Sequence, residues 1–182
     1  VLDGTDAVML SAETAVGKHP VKVIEAMNRI CLGAERHFEA EGDVIHLNVR
    51  FERIDQAIAM AAMYMATNVS VQAIVALTVS GSTAQWLSRV QSSVPIYAFS
   101  TNSASRRKMA MFRDVFPVKQ EATSDDPDEV VGEAMRTLLA HGAVKDDDRI
   151  IVTMGDQMSK SGGTNTFRFI KLDAEGRARY RV

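Results

Sequence analysis

Cysteine is nearly missing from this chain: Cys31 is the only one in 182 residues, so no intrachain disulfide can staple the fold. Proline is sparse too, at four residues, which leaves long stretches open to uninterrupted helices and strands. Aromatic residues make up 6% of the chain, with a single tryptophan, Trp86. The core must therefore come from aliphatic side chains and methionine. Neither sign of charge dominates. With 21 basic and 23 acidic residues the net charge is −2, which gives no field to draw in nucleic acid or an anionic membrane surface. No apolar run approaches the roughly 20 residues of a membrane-spanning helix, and no secretory leader pattern is visible. A cytoplasmic chain with no nucleic-acid or membrane partner is expected.

What is present is a 46% hydrophobic chain whose apolar residues are arranged periodically. Val8, Met9 and Leu10 form a short apolar run entered through Asp3-Gly4-Thr5-Asp6, and they read as a buried strand whose neighbours lie outside these 182 residues. Pro20 then suits the first turn of a helix over 21–38, with Val23, Ala26, Met27, Ile30 and Ala34 on one stripe. The mixed stretch 39–49 reads as a linker.

From about residue 52 helices and strands alternate. Helices are expected over 53–68, 82–91, 104–112 and 128–141, and strands over 73–78, 95–100, 116–120, 149–154 and 166–172. Such alternation implies right-handed crossovers and a mainly parallel sheet. No helical pattern lies between the last two strands, so the fifth is expected to run antiparallel to the fourth. The charged stretch 173–182 is expected to fray. The helix over 53–68 has apolar residues on two sides: Ile54, Ile58, Ala61 and Met65 on one, Met60, Met63 and Tyr64 on the other. Such a helix is either sandwiched inside the domain or has one side on the sheet and the other at a subunit interface.

Two loops concentrate hydrogen-bonding residues at the carboxyl ends of expected parallel strands. Thr78-Val79-Ser80-Gly81-Ser82-Thr83 offers hydroxyls, a glycine and orphan backbone N–H groups. Those groups suit a phosphate oxygen, although the same residues also make an ordinary helix cap. The second loop, 155–165, is polar and glycine-rich and carries Lys160, Ser161, Gly162, Gly163 and Thr164; it can equally be a plain chain reversal. If strands one and four are neighbours, both loops open over one crevice, where ligands of open α/β sheets bind.

Other clusters are weaker. Arg106, Arg107 and Lys108 suit a solvated face. Asp125, Asp126 and Asp128 suit a helix entry, and Asp146, Asp147 and Asp148 lack the spacing of a calcium loop. His19, His37, His46 and His141 are dispersed, so no metal site is expected. Trp86 suits packing more than ligand contact.

The opening run VLDGTDAVMLSAETAVGK resembles the last barrel strand of pyruvate kinases, where D-G-[TA]-D-x-x-M-L-S-[AG]-E-T-A leads into the last barrel helix. Over nearly its whole length the chain is similar to the C-terminal part of a bacterial member of that family. The resemblance implies a three-layer α/β domain over 49–182, with a five-stranded mixed sheet whose first four strands are parallel and whose fifth is antiparallel. Residues 1–48 would be a remnant of the last β/α unit of a TIM barrel plus a linker. Ser11 and Glu13 would belong to the barrel floor. The family's catalytic lysine, its magnesium-holding carboxylates, its activating threonine and its phosphate-gripping arginine all precede the matched stretch. The resemblance therefore implies that these residues alone are catalytically inactive and need no cofactor, with Mg and K belonging to the parent enzyme.

The resemblance also implies a phosphorylated metabolite effector held by Thr78, Ser80, Gly81, Ser82 and Thr83 and covered by Lys160, Ser161, Gly162, Gly163 and Thr164. Val79 and Ser82 stand where animal forms carry Lys and Arg, and the closing loop lacks the aromatic and Arg of fructose-bisphosphate-activated forms. A sugar monophosphate, such as ribose 5-phosphate or glucose 6-phosphate, or a nucleotide monophosphate fits this simpler cradle better. The leading expectation is thus the regulatory part of a pyruvate kinase, contacting its parent barrel domain and forming a homo-oligomer through the helix around Ile54–Asn68. The alternatives are a free-standing phosphosugar-processing α/β domain, with Asp156 as its base, and a mainly oligomerising module.

Overall fold

Strand β1, Ala73–Leu77, reads Ala-Ile-Val-Ala-Leu and is buried along its whole length, as a strand covered on both faces must be. In the computed structural model of the chain it lies between β2 (Ile96–Ser100) and β4 (Arg149–Gly155), both parallel to it. β3 (Val115–Lys119) pairs parallel to β2, and β5 (Thr164–Leu172) pairs antiparallel to β4. The sheet order is β3-β2-β1-β4-β5-β6, with β6 the two-residue strand Ala178–Arg179. The structure describes residues 5–41, 50–90, 92–121, 124–157 and 161–179, and the side chains of 37–41 fall outside that set.

Alternation along β1 divides the core into two layers. Ala73, Val75 and Leu77 face α6 (Pro127–Ala140), whose Val130, Val131, Ala134, Met135 and Leu138 pack with Val152 and Ile170. Ile74 and Ala76 face the other way, toward α3 (Ile54–Asn68), α4 (Ser82–Leu87) and α5 (Ser103–Met109), where Met63, Leu87 and Met109 are fully buried. Trp86 and Phe169 pack against the edge of this second layer. Both helical faces are needed to cover a parallel sheet, and the local sequence provides for them. Asp126 accepts a bond from the Asp128 N–H at 2.9 Å at the start of α6, with Pro127 as its first residue. Asn102 accepts from the N–H groups of Ala104 and Ser105 at the start of α5.

The expected architecture, four parallel strands and an antiparallel fifth between helical layers, is the one observed. Several details differ. Val8–Leu10 is not a strand: it has no ladder partner among the described residues, and Val8 and Met9 are exposed. A three-residue apolar run becomes a strand only where another strand supplies its hydrogen bonds. It leads instead into a single helical turn, α1 (Ala12–Ala15), and then α2 (Pro20–Glu41). The stripe expected to be buried on α2 is half-buried at Val23, Ala26, Met27 and Ala34, and Ile30 is exposed. The expected linker falls largely on residues 42–49, outside the described set.

α4 stops at Leu87 rather than near residue 91. Ser88 donates its hydroxyl to the Gln85 carbonyl at 2.8 Å, and the next bonds tighten to Arg89 N–H to Trp86 and Val90 N–H to Leu87. Residues 173–179 also differ from expectation, and 180–182 lie outside the described set. Asp173 accepts from the N–H groups of Glu175 and Arg177, so 173–177 forms a turn and β6 returns antiparallel along β5.

On α3 the inward face is Asp55, Ala59, Ala62, Met63 and Ala66, while Ile54 and Tyr64 are exposed. The inward side is therefore alanine-rich and includes Met63 of the second apolar side. Small side chains let this helix come close to its neighbours. A helix apolar on two sides does not reveal by periodicity which side is inward.

Candidate functional site

β1 and β4 are adjacent, and chain order reverses between them: from β1 it runs outward to β2 and β3, from β4 to β5 and β6. The loops leaving their carboxyl ends open over one crevice, as strand reversal in an open α/β sheet requires. A small pocket there is lined by Leu77, Thr78, Val79, Gly155, Gln157, Gly162 and Thr164. The floor is tied across. Thr83 Oγ1 and Thr164 Oγ1 share a hydrogen bond of 2.6 Å, and both residues are buried. Gly155 allows the backbones to close in: a Cβ there would sit 2.5 Å from the Gly163 carbonyl oxygen. The ladder shifts register at Met154/Gly155, which turns the end of β4 toward that loop.

The loop after β1 folds on its own hydroxyls. Thr78 Oγ1 accepts from the Gly81 N–H at 3.1 Å, and Ser80 Oγ accepts from the Ser82 N–H at 3.4 Å. From β2, Ser100 donates its hydroxyl to the Val79 carbonyl at 3.1 Å. Gly81 has φ +83, and a Cβ on it would lie 2.8 Å from Met109 Cγ, so both conformation and space call for glycine. Two backbone N–H groups and four hydroxyls are thus gathered in one short loop. These are the donors that a phosphate oxygen takes.

An ion pair stands beside the loop. Arg53 donates from Nε and Nη2 to the two carboxylate oxygens of Asp55, at 2.9 and 2.7 Å. Asp55 also accepts from the Ser82 hydroxyl at 3.0 Å and the Gln56 N–H at 3.0 Å. The Arg53 guanidinium holds the Asp55 carboxyl below the usual carboxylate range; burial works in the opposite direction, and the Ser82 bond assists Arg53. Neither Arg53 nor Asp55 was singled out by sequence reasoning. They precede the loop by a whole helix and strand, and no local motif links them to it.

Of the expected site residues, Thr78, Ser80, Gly81, Ser82, Thr83, Gly162, Gly163 and Thr164 come together around the crevice. Ser161 is exposed next to them, and Lys160 lies outside the described residues. Ser11 and Glu13 are elsewhere and exposed, with the Ser11 N–H donating to the Glu13 carboxylate at 3.1 Å. Asp156 accepts from the Asn165 amide at 2.8 Å and so braces the mouth of the loop. Arg106 donates to the Ser100 carbonyl at 2.7 Å, closing the end of β2 rather than facing solvent alone. Asp128 pairs with Arg168, and Asp147 with Lys171 at 2.6 Å. Among the described residues no group of three or more His, Cys, Asp or Glu side chains is placed to hold a metal ion. No described helix is long and apolar enough to cross a membrane.

A family model described as "Pyruvate kinase, alpha/beta domain" matches residues 56–170. The chain is 43% identical over 176 residues to "Pyruvate kinase II" of Salmonella typhimurium, covering 95% of this chain and 36% of that protein. It is 40% identical over 173 residues to a "Pyruvate kinase" of Buchnera aphidicola subsp. Schizaphis graminum, covering 94% and 36%. It is 34% identical over 170 residues to a "Pyruvate kinase" of Geobacillus stearothermophilus, covering 92% and 29%. The chain thus spans about a third of the length of these curated relatives.

Proposed function

The chain belongs to the pyruvate kinase alpha/beta domain family, and on that premise we propose that its crevice is an effector site for a phosphorylated metabolite. A sugar monophosphate or nucleotide monophosphate needs one phosphate cradle, and the Thr78–Thr83 loop has the donors for one. On binding, the N–H groups of Gly81 and Ser82 exchange the hydroxyl oxygens of Thr78 and Ser80 for phosphate oxygens. The freed hydroxyls then turn to donate. The observation that carries this reading is the Thr83–Thr164 contact of 2.6 Å, which brings the loops after β1 and β4 to one point. Effector binding changes how this domain packs on its surroundings, which is an energetic coupling between two sites.

In this reading the parent protein converts phosphoenolpyruvate and ADP to pyruvate and ATP in the cytoplasm, and these 182 residues regulate it without catalysing the reaction themselves. Phosphoryl transfer requires metal ions and cations positioned on the transferring group, and Ser11 and Glu13 make no such constellation. Subunit contact through α3 is part of the same proposal, supported by the exposure of Ile54 and Tyr64 on a largely apolar helix.

Calorimetric titration with ribose 5-phosphate and glucose 6-phosphate tests the effector reading. Saturable binding that is weakened by Thr83→Val is expected. The absence of a saturable signal up to millimolar ligand contradicts it. A coupled assay with phosphoenolpyruvate and ADP tests the catalytic half of the proposal, and turnover by the isolated chain would overturn it.

A further inference from the structure

We propose that Arg53 is the cation that neutralises the phosphate in this crevice, presenting its guanidinium fork to two phosphate oxygens. The inference rests on the effector-site reading and adds to it a residue that lies outside both loops.

Three observations place Arg53 there. Asp55 is 2% exposed while the Arg53 side chain is 54% exposed, so the pair is oriented with its negative end inward and its positive end toward solvent. The anchor also belongs to the loop, because the same Asp55 oxygen that takes Arg53 Nη2 accepts the Ser82 hydroxyl at 3.0 Å. On the opposite side, Arg53 Nη2 lies 3.9 Å from the point a Cβ on Gly162 would occupy. The guanidinium thus spans the seam between the first turn of α4 and the closing loop.

The chemistry suits a phosphate. A guanidinium has five N–H donors, and Asp55 engages two of them. The remaining donors form a planar fork that matches two phosphate oxygens. Asp55 does not repel the ligand as a bare carboxylate would, since four donors from Arg53, Ser82 and Gln56 surround it. It fixes the fork in position before the ligand arrives, which reduces the ordering cost of binding.

The test compares Arg53→Gln, Arg53→Lys and Thr83→Val with the unaltered 182-residue chain by calorimetry, using ribose 5-phosphate as probe and thermal melting as the fold control. Arg53→Gln is expected to weaken binding about ten- to a hundred-fold, the scale of a hydrogen bond to a charged group. Arg53→Lys, which keeps the charge but loses the fork, should fall between. The dependence of affinity on salt should flatten in Arg53→Gln.

Arg53→Gln binding as tightly as the unaltered chain, while Thr83→Val binds more weakly, overturns the role of Arg53 and leaves the effector site standing. No saturable binding by the unaltered chain overturns both. Should Arg53→Gln fail to melt cooperatively, the double variant Arg53→Gln/Asp55→Asn removes the stranded buried charge, and the same two outcomes are read from it.

Discussion

Thr83 Oγ1 and Thr164 Oγ1 lie 2.6 Å apart in a buried setting, and this one contact joins the first turn of α4 to the first residue of β5. Each hydroxyl is a partner the other cannot readily replace with water. The pair therefore holds the crevice together, with Thr164 also lining it.

Removing both hydroxyls should cost less than the two single removals added together. Thr83→Val leaves Thr164 buried without this partner and is expected to cost about 1–3 kcal/mol. In urea denaturation the double variant Thr83→Val/Thr164→Val should lose clearly less than the sum of the two single variants. Strict additivity would mean that the hydroxyls do not interact.

Gly155→Ala should pry the loop from the end of β4. The added methyl meets the Gly163 carbonyl oxygen at 2.5 Å, and a backbone atom cannot rotate away as a side chain would. A loss of about 1–3 kcal/mol is expected for such overpacking, together with faster hydrogen exchange at Thr164. An unchanged melting temperature would contradict the close approach.

The Arg53–Asp55 pair predicts a stability change in acid. The folded-state pKa of Asp55 lies below its unfolded value, with Arg53 as the main lowering cause. Unfolded chains therefore bind the proton first, and stability rises with pH across this interval. The contribution is complete above about pH 5, well above the ordinary aspartate value near 3.9, and it is lost as pH falls through the lowered folded value. Urea midpoints measured downward from pH 6 should fall less steeply in Asp55→Asn than in the unaltered chain. Parallel curves would rule out a contribution from this carboxylate.

Subunit contact through α3 predicts a mass change on substitution. Tyr64 is 44% exposed on that helix, so Tyr64→Glu should leave the fold intact while adding a charge that an interface must desolvate. Sedimentation equilibrium should show the unaltered chain associating and Tyr64→Glu shifted toward monomer. Identical masses would remove α3 from the contact.

The parts of this fold that were legible in the sequence are those where local pattern and tertiary setting agree. Ala73–Leu77 is apolar without a break because it is the central strand, and the missing helix between β4 and β5 forces the antiparallel turn. The adjacency of β1 and β4 was only a condition in the sequence, since alternation does not fix strand order; the structure meets it and brings the two loops together. Val8–Leu10 misled because an apolar run states a preference for burial, not the presence of a ladder partner. On α3 the inward residues are mostly alanines, which carry too little hydrophobic signal to mark the inward side. β6 was missed because its turn depends on Asp173 accepting two backbone N–H groups, a feature that charged composition conceals. Arg53 and Asp55 were invisible for another reason: the Asp55–Ser82 bond spans 27 positions, and no periodicity encodes a contact at that distance.

The central claim is that a phosphorylated metabolite sits between the Thr78–Thr83 loop and the loop before β5. A crystal structure of the chain grown with saturating ribose 5-phosphate tests it most directly. The account predicts the phosphate within hydrogen-bond distance of the Gly81 and Ser82 N–H groups, with Thr78 and Ser80 released from their present bonds to them. A ligand seated elsewhere, or a loop that keeps its Thr78–Gly81 bond beside an empty crevice, would contradict it.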